Sequence, residues 1–221
     1  MTAGGGLTLA VPRGALFADT LALLDRLGID TSEVRANERR LLFDGGSGAG
    51  GGVTGIVTMR PSDVPTYVEH GAADVGITGK DVLLEQPERE VYELLDLGYG
   101  RCRMIVAARE GDDALGESLR RLGTARVATK YPRVAAGHFA ATGRQAEIVE
   151  VKGSVEIAPL TGLVDAIVDL TATGRTLVEN HLEEREEIAV CTARLIANPV
   201  AHKLKAEAID RLVERARGVL A

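Results

Sequence analysis

The chain has 221 residues, 45% of them hydrophobic and 26% charged, which is ordinary for a globular protein and enough for one large or two small α/β domains. Its net charge of −6, with no long basic run, excludes nucleic acid as the main partner. No apolar run approaches the ~20 residues of a membrane span, and residues 1–6 lack the pattern of a signal peptide, so no membrane partner and a cytoplasmic location are expected. Cys102 and Cys191 form neither a CxxC nor a Cys/His cluster, which fits a reduced compartment without structural zinc.

Aromatic residues are 3% and Trp is absent, so the core is expected to be built from Leu, Val, Ile and Ala. Residues 7–11 read as a buried strand, broken by Pro12-Arg13-Gly14. Leu16, Phe17, Thr20, Leu21, Leu24 and Leu27 then repeat at helical spacing, with Gly28 as the stop. Residues 39–43 and 53–59 read as strands, and residues 45–52 between them contain only Gly, Ser and Ala. That run lacks a GKT or GKS ending and a following helix, so it reads as a connector rather than a phosphate loop. Ser62 is placed to cap a helix ending near His70, with Gly71 as its stop.

Residues 74–77 are a strand, and Thr78-Gly79-Lys80-Asp81 turns into a helix over 82–84. Residues 91–95 and 102–107 read as strands, and 115–122 as a short amphipathic helix. A second alternating set begins with a strand at 126–129. It continues with a helix after Pro132, a strand at 148–151, a helix from near Ser154, a strand at 166–168 and a short helix at 176–180. A strand over 188–196 and a helix after Pro199 close the chain; Val200, Leu204, Ala208, Leu212 and Val219 share roughly one face of that helix. Such alternation indicates an α/β protein with mostly parallel strands in two sheets, in which ligands gather at the carboxyl ends of strands.

The strongest local signal is Asp165-Ala166-Ile167-Val168-Asp169-Leu170-Thr171-Ala172-Thr173-Gly174-Arg175-Thr176, an apolar strand ending in an acid, a small hydroxyl-rich loop, then a helix. Exposed N–H groups at a helix start favour a phosphate dianion, Gly174 permits close approach, and Thr173, Thr176 and Arg175 add donors and charge. Asp169 is placed to accept from a sugar diol. From spacing alone, phosphate binding and an ordinary turn with a Thr cap stand side by side.

Basic residues Arg13, Arg39 or Arg40, Arg60 and Lys80 sit at predicted strand ends. Singly each fits a surface ion pair; together they would make a cationic rim suited to polyphosphate. Asp81, Glu156 and Asp169 are scattered acids of the kind that hold Mg²⁺ with phosphate oxygens, and taken alone each reads first as a helix-start acid favoured by the macrodipole. His70, His138, His181 and His202 show no pairing that suggests a catalytic dyad, and His70 reads as a helix cap. Cys102 and Cys191 fall in strands and read as buried and inert.

Several blocks then align in order. They are Ala10-Val11-Pro12-Arg13-Gly14-Ala15-Leu16, Met59-Arg60-Pro61-Ser62-Asp63-Val64-Pro65-Thr66-Tyr67-Val68 and Ala72-Ala73-Asp74-Val75-Gly76-Ile77-Thr78-Gly79-Lys80-Asp81-Val82. Ala128-Thr129-Lys130-Tyr131-Pro132, Gly153-Ser154-Val155-Glu156-Ile157-Ala158-Pro159 and the stretch 165–177 follow. In these the chain resembles the ATP phosphoribosyltransferases, first enzymes of histidine biosynthesis, in their short form.

The resemblance implies a two-lobed fold of the periplasmic-binding-protein type (type II) with mixed, mostly parallel sheets and the active site in the inter-lobe cleft. Residues 1–97 with 186–221 would form lobe I and residues 98–185 lobe II, with no C-terminal regulatory domain. The implied reaction joins ATP to 5-phosphoribosyl 1-pyrophosphate, giving N1-(5-phosphoribosyl)-ATP and pyrophosphate, with Mg²⁺ as cofactor. Arg13, Arg39 and Arg60 would be the catalytic cations facing pyrophosphate or ATP phosphates. Thr171, Ala172, Thr173, Gly174, Arg175 and Thr176 would bind the 5-phosphate and Asp169 the ribose hydroxyls, with Glu156, Lys80 and Asp81 nearby. Asp81, Glu156 and Asp169 would be the metal carboxylates. The implied partner is a histidyl-tRNA-synthetase-like regulatory subunit, the chain being a dimer alone and part of a hetero-octamer with it.

Arg13-Gly14-Ala15-Leu16 departs from the family's usual Lys-Gly-Arg-Leu, which leaves open which cation grips the ATP phosphates. A solute-binding protein of the same fold, a salvage phosphoribosyltransferase acting on a free base, and a degenerate regulatory paralogue are the rival readings. A salvage enzyme's loop carries two adjacent acids, whereas Leu170 follows Asp169 here.

Overall fold

The computed structural model describes residues 6–37, 39–45 and 52–220; residues 46–51 of the glycine-rich connector lie outside them. The chain divides into two compact units, Met1–Gly100 with Thr192–Ala221, and Arg101–Cys191. The crossings expected at 97/98 and 185/186 therefore fall at 100/101 and 191/192. The second moves because Leu182–Cys191 is one continuous strand, which a boundary at 185 would cut.

Unit 1 begins with β1 (Leu7–Pro12), a run of apolar residues buried almost throughout, as a central parallel strand requires. Helix α1 (Phe17–Arg26) packs Leu21, Leu23 and Leu24 inward, and a five-residue helix α2 (Ser32–Ala36) follows. Strands β2 (Leu42–Asp44) and β3 (Val53–Met59) come next. Pro61–Asp63 form a 3-10 turn leading into α3 (Val64–Glu69). Ser62 thus sits inside the turn rather than capping a helix, because Pro61, with its fixed φ, already starts the turn. Strand β4 (Val75–Gly79), helix α4 (Lys80–Glu85) and strand β5 (Tyr92–Asp96) complete the first passage through this unit.

Unit 2 runs β6 (Cys102–Arg109), α5 (Ala114–Leu122), β7 (Thr124–Thr129), α6 (Pro132–Ala141), β8 (Gln145–Glu150), α7 (Ile157–Leu160), β9 (Ala166–Thr171), α8 (Arg175–Glu179) and β10 (Leu182–Cys191). The chain then returns to unit 1 as β11 (Ala193–Ala197), α9 (Pro199–Leu204) and α10 (Ala206–Leu220). The single strand expected over 188–196 is therefore two strands in two sheets. The hinge is Thr192, whose hydroxyl donates to Asp96 Oδ1 at 2.7 Å while its carbonyl accepts from Lys80 N–H at 2.9 Å.

The first sheet has the order β2-β3-β1-β4-β11-β5 and the second β10-β6-β9-β7-β8. Among the described residues four strand pairings are parallel (β3-β1, β1-β4, β9-β7, β7-β8) and five antiparallel. The sheets are mixed, without the expected parallel excess, because strands on either side of the two crossings, β5, β6, β10 and β11, all pair antiparallel. In unit 2 both sheet faces are covered. Met104, Val106, Ala166 and Val168 pack on one side with Tyr131, Ala135 and Phe139, while Ile105, Ala107 and Ile167 pack on the other with Ala158 and Leu177. Among the described residues no helix is long and apolar enough to cross a membrane.

One glycine in unit 1 is required by packing. A Cβ added to Gly76 in β4 would lie 2.7 Å from both Val64 Cγ1 and Val68 Cγ2 of α3. Gly76→Ala is expected to push α3 off the sheet and destabilise the protein by about 1–3 kcal/mol, read as a lower urea midpoint. An unchanged midpoint would show that α3 shifts without cost.

Candidate active site

In unit 1 three basic residues follow the carboxyl ends of neighbouring parallel strands. The register Pro12↔Met59 sets Arg13 and Arg60 side by side, and Arg13 N–H donates to Met59 O at 2.7 Å. Lys80 starts α4 directly after β4. Arg39 and Arg40 instead precede β2, and the three residues at strand ends differ in their bonding. Arg13 Nε donates to Thr58 Oγ1 at 3.0 Å, and its NH2 donates to the Arg40 and Asn37 carbonyls at 3.0 and 3.4 Å. Its guanidinium also lies over the Phe17 ring, 5.3 Å from the centroid. Arg13 therefore braces the segment carrying Arg39, while Arg39 and Arg60 are exposed.

Lys80 Nζ meets Glu93 Oε2 at 2.7 Å, and Glu93 Oε1 meets Arg194 NH1 at 3.2 Å. Arg194 NH2 also meets Asp96 Oδ2 at 2.9 Å. Burial pushes the Asp96 carboxyl up, but the Thr192 hydroxyl, the Gly98 N–H, Arg194 and Lys80 outweigh it and leave the carboxyl below its ordinary range. Asp81 lies in the first turn of α4 and folds back over Gly79, where an added Cβ would stand 2.0 Å from its Oδ1. Gly79 leaves room for that carboxylate.

In unit 2 the loop after β9 forms from its own hydroxyls. Gly174 adopts φ +76, and its N–H donates to Thr171 Oγ1 at 2.9 Å; Arg175 N–H reaches Thr173 Oγ1 at 3.4 Å. The helix begins at Arg175 rather than Thr176 and spans only five residues, so loop donors rather than a helix dipole must supply any anion affinity. Ala172, Thr173 and Thr176 are exposed, and Arg175 pairs with Glu179 at 2.9 Å.

Asp169 is 7% exposed and lies within β9, two residues before its last residue Thr171, rather than at the strand end expected from the sequence. The parallel register Thr129↔Val168 brings the residue after β7, Lys130, alongside it. Lys130 Nζ stands 3.0 Å from Asp169 Oδ1, and the same oxygen accepts from Leu170 N–H at 2.8 Å. The turn that aims Lys130 is fixed by Thr129, whose hydroxyl donates to Val168 O at 2.7 Å and accepts from Tyr131 N–H at 2.8 Å. Lys130 was legible in the same pattern that singles out Arg13, Arg60 and Lys80, a basic residue next to an apolar strand, yet that reading passed over it. Glu156 is half-buried at the start of α7, two residues after Ser154, which holds φ +47.

Among the described residues no three of His, Cys, Asp and Glu are grouped so as to hold a metal ion. Asp81 belongs to unit 1 and Glu156 and Asp169 to unit 2. His138 does pair, its Nε2 lying 2.8 Å from Glu186 Oε2. Arg144 occupies both oxygens of that carboxylate, at 2.5 and 2.7 Å, and together with His138 holds its pKa down against the opposing effect of burial, so the group is structural. Cys102 is half-buried rather than buried, and Cys191, which is buried, stands opposite it in the β6-β10 ladder.

The family described as ATP phosphoribosyltransferase matches residues 60–218. The ATP phosphoribosyltransferase of Rubrobacter xylanophilus is 54% identical over 201 residues, 90% of each chain. The ATP phosphoribosyl transferase (HisG:HisZ) complex from Thermotoga maritima aligns with TM-score 0.78 at 35% identity, covering 97% of this chain and 98% of that one. The BvgS VFT2 domain of Bordetella pertussis aligns with TM-score 0.57 at 13% identity, over 98% of this chain and 92% of that one, a likeness of fold alone. These neighbours establish the periplasmic-binding-protein-like α/β fold. The chain belongs to the ATP phosphoribosyltransferase family.

Proposed function

We propose that the chain condenses ATP with 5-phosphoribosyl 1-pyrophosphate to N1-(5-phosphoribosyl)-ATP and pyrophosphate, the first step of histidine biosynthesis. The observation that carries this reading, in a chain of this family, is the buried Asp169 beside the hydroxyl-rich 171–176 loop at the carboxyl end of β9. Adenine N1 already has a lone pair, so no strong general base is needed. Negative charge develops on the departing pyrophosphate, which cations stabilise, while positioning aligns adenine N1 with the oxocarbenium-like sugar carbon. In this reading Thr171, Ala172, Thr173, Gly174, Arg175 and Thr176 hold the 5-phosphate, Asp169 the ribose hydroxyls, and Arg39, Arg60 and Lys80 the polyphosphate charge. Arg13 acts by bracing the 37–40 segment.

Mg²⁺ suits this donor set as a companion of the polyphosphate, since it is commonly held by one or two carboxylates plus phosphate oxygens. When bound it neutralises charge on the leaving pyrophosphate. Asp81, Glu156 and Asp169 are the carboxylates that would accompany it, with one oxygen of Asp169 already paired with Lys130. The Thermotoga maritima relative comes from a HisG:HisZ complex, which supports a histidyl-tRNA-synthetase-like regulatory subunit as partner here. Light scattering of the chain alone and with that subunit tests the dimer and the hetero-octamer.

The catalytic reading is tested by mixing the chain with ATP, phosphoribosyl pyrophosphate, Mg²⁺ and pyrophosphatase, and following the ultraviolet absorbance of N1-substituted adenine. Absence of product, with and without the partner subunit, would refute it. Turnover of free adenine in place of ATP would favour a salvage enzyme.

A further inference from the structure

The pairing of Lys130 with Asp169 raises the question of which parts of this buried group remain open to a ligand. Asp169 Oδ1 is filled by Lys130 Nζ at 3.0 Å and Leu170 N–H at 2.8 Å. Its other oxygen, Oδ2, has no hydrogen-bond partner among the described residues, although the side chain is nine-tenths buried. Among the described residues Arg194 Nε is the only buried side-chain polar atom without a partner, so Oδ2, unbonded yet not sealed off, meets solvent and is open to a ligand hydroxyl. Lys130 has three N–H donors and spends one on Asp169. Its ammonium lies 5.5 Å from the Tyr131 ring centroid and its side chain is 40% exposed, so donors remain for a ligand that reaches Asp169.

We propose that Lys130 and Asp169 act as one donor–acceptor pair that reads a vicinal ribose diol, one hydroxyl donating to Asp169 Oδ2 and its neighbour accepting from Lys130 Nζ. This deepens the phosphoribosyl reading of the 169–176 loop and rests on it. A carboxylate with both oxygens free accepts from two hydroxyls without distinguishing their order. A carboxylate with one oxygen closed by an ammonium instead requires one hydroxyl as donor and the next as acceptor. Lys130 is therefore a specificity residue for ribose over deoxyribose phosphates as well as the counter-charge of Asp169. Two features of the fold hold it in register, the Thr129↔Val168 pairing and the Thr129 hydroxyl bridge to Val168 O and Tyr131 N–H.

The test uses the full chain, with binding and turnover read separately. Calorimetry compares ribose 5-phosphate with its 2-deoxy and 3-deoxy analogues in the native protein, Lys130→Met and Lys130→Gln. The native protein is expected to bind ribose 5-phosphate about tenfold or more tighter than either analogue. In Lys130→Met the penalty for removing one of the two hydroxyls is expected to vanish while the other persists. Lys130→Gln, which keeps a neutral donor, is expected to recover part of the lost penalty. In turnover, Lys130→Met should raise the KM for phosphoribosyl pyrophosphate about tenfold or more and leave the KM for ATP within about threefold. A lysine that merely supports the fold would move both constants together and leave the two penalties as they are. Penalties unchanged in both variants overturn the proposal, whichever variant folds. Native protein that binds ribose 5-phosphate with these penalties yet makes no N1-substituted ATP would overturn the catalytic reading and leave the diol pair standing.

Discussion

Asp169→Ala is expected to lower kcat/KM for phosphoribosyl pyrophosphate by about a hundredfold or more, close to 2.7 kcal/mol of transition-state stabilisation. Two effects add. The variant loses a charged acceptor for a sugar hydroxyl, a bond of about 1.5–3 kcal/mol. It also strands the Lys130 ammonium, whose ion pair with Asp169 is the only one it forms among the described residues. Most of the loss should appear on the sugar-phosphate substrate, because unit 2 builds this site from β7, β9 and the loop after β9. Asp169→Asn keeps the shape but loses the charge and should fall between. Steady-state kinetics with each substrate varied in turn checks this, and a loss below about threefold in Asp169→Ala would remove Asp169 from the site.

The second large effect concerns stability. Asn198 is 5% exposed, and its side chain makes three hydrogen bonds that tie the start of α9 to the end of α3. Its Oδ1 accepts from Ala201 N–H at 2.8 Å as the N-cap of α9, and its Nδ2 donates to the Val68 and Glu69 carbonyls, each at 2.9 Å. Its own N–H donates to Asp74 O at 2.9 Å. Asn198→Ala removes a cap of about 1 kcal/mol and deprives two carbonyls at the end of α3 of a donor, for a total near 3 kcal/mol. Asn198→Asp separates the contributions, because it keeps the cap and sets a carboxylate against those carbonyls. It should destabilise at least as much as alanine. Urea unfolding followed by circular dichroism measures both, and a near-neutral Asn198→Asp would show that the two carbonyl bonds contribute nothing.

How much could be read from the sequence depended on whether a feature is local. The strand 53–59 was legible to the residue because an apolar run meets glycine on one side and Arg60-Pro61 on the other. Helix α6 was legible from Pro132, which suits a first helical position. Helix α2 was missed because five residues give no periodicity to detect. The division at Thr192 was hidden because the apolar pattern runs through it without a break, and only the partners of β10 and β11 differ. The same holds at the site. Asp169 and the 171–176 loop stand out in one stretch of chain, and Arg13, Arg60 and Lys80 follow from strand ends. The link between Lys130 and Asp169 arises from strand register across 39 residues, which no local pattern encodes. The bracing role of Arg13 likewise depends on where the 37–40 carbonyls fold.

The direct opposition of Cys102 and Cys191 has a consequence for the order in which the molecule forms. Residues 101–191 leave and rejoin the rest of the chain at neighbouring positions on two paired strands. Strand β11 must find β4 and β5 across that insertion. With unit 2 unfolded, this closes a loop of about a hundred residues; with unit 2 folded, the same closure spans only a handful. About four halvings of loop length lower the entropic cost by roughly 2.4 kcal/mol. Early folding of unit 2 therefore makes completion of the first sheet easier, and pulse-labelled hydrogen exchange should find β6 and β10 amides protected before those of β11. Earlier protection of β11 would mean that unit 1 assembles around an unfolded insertion.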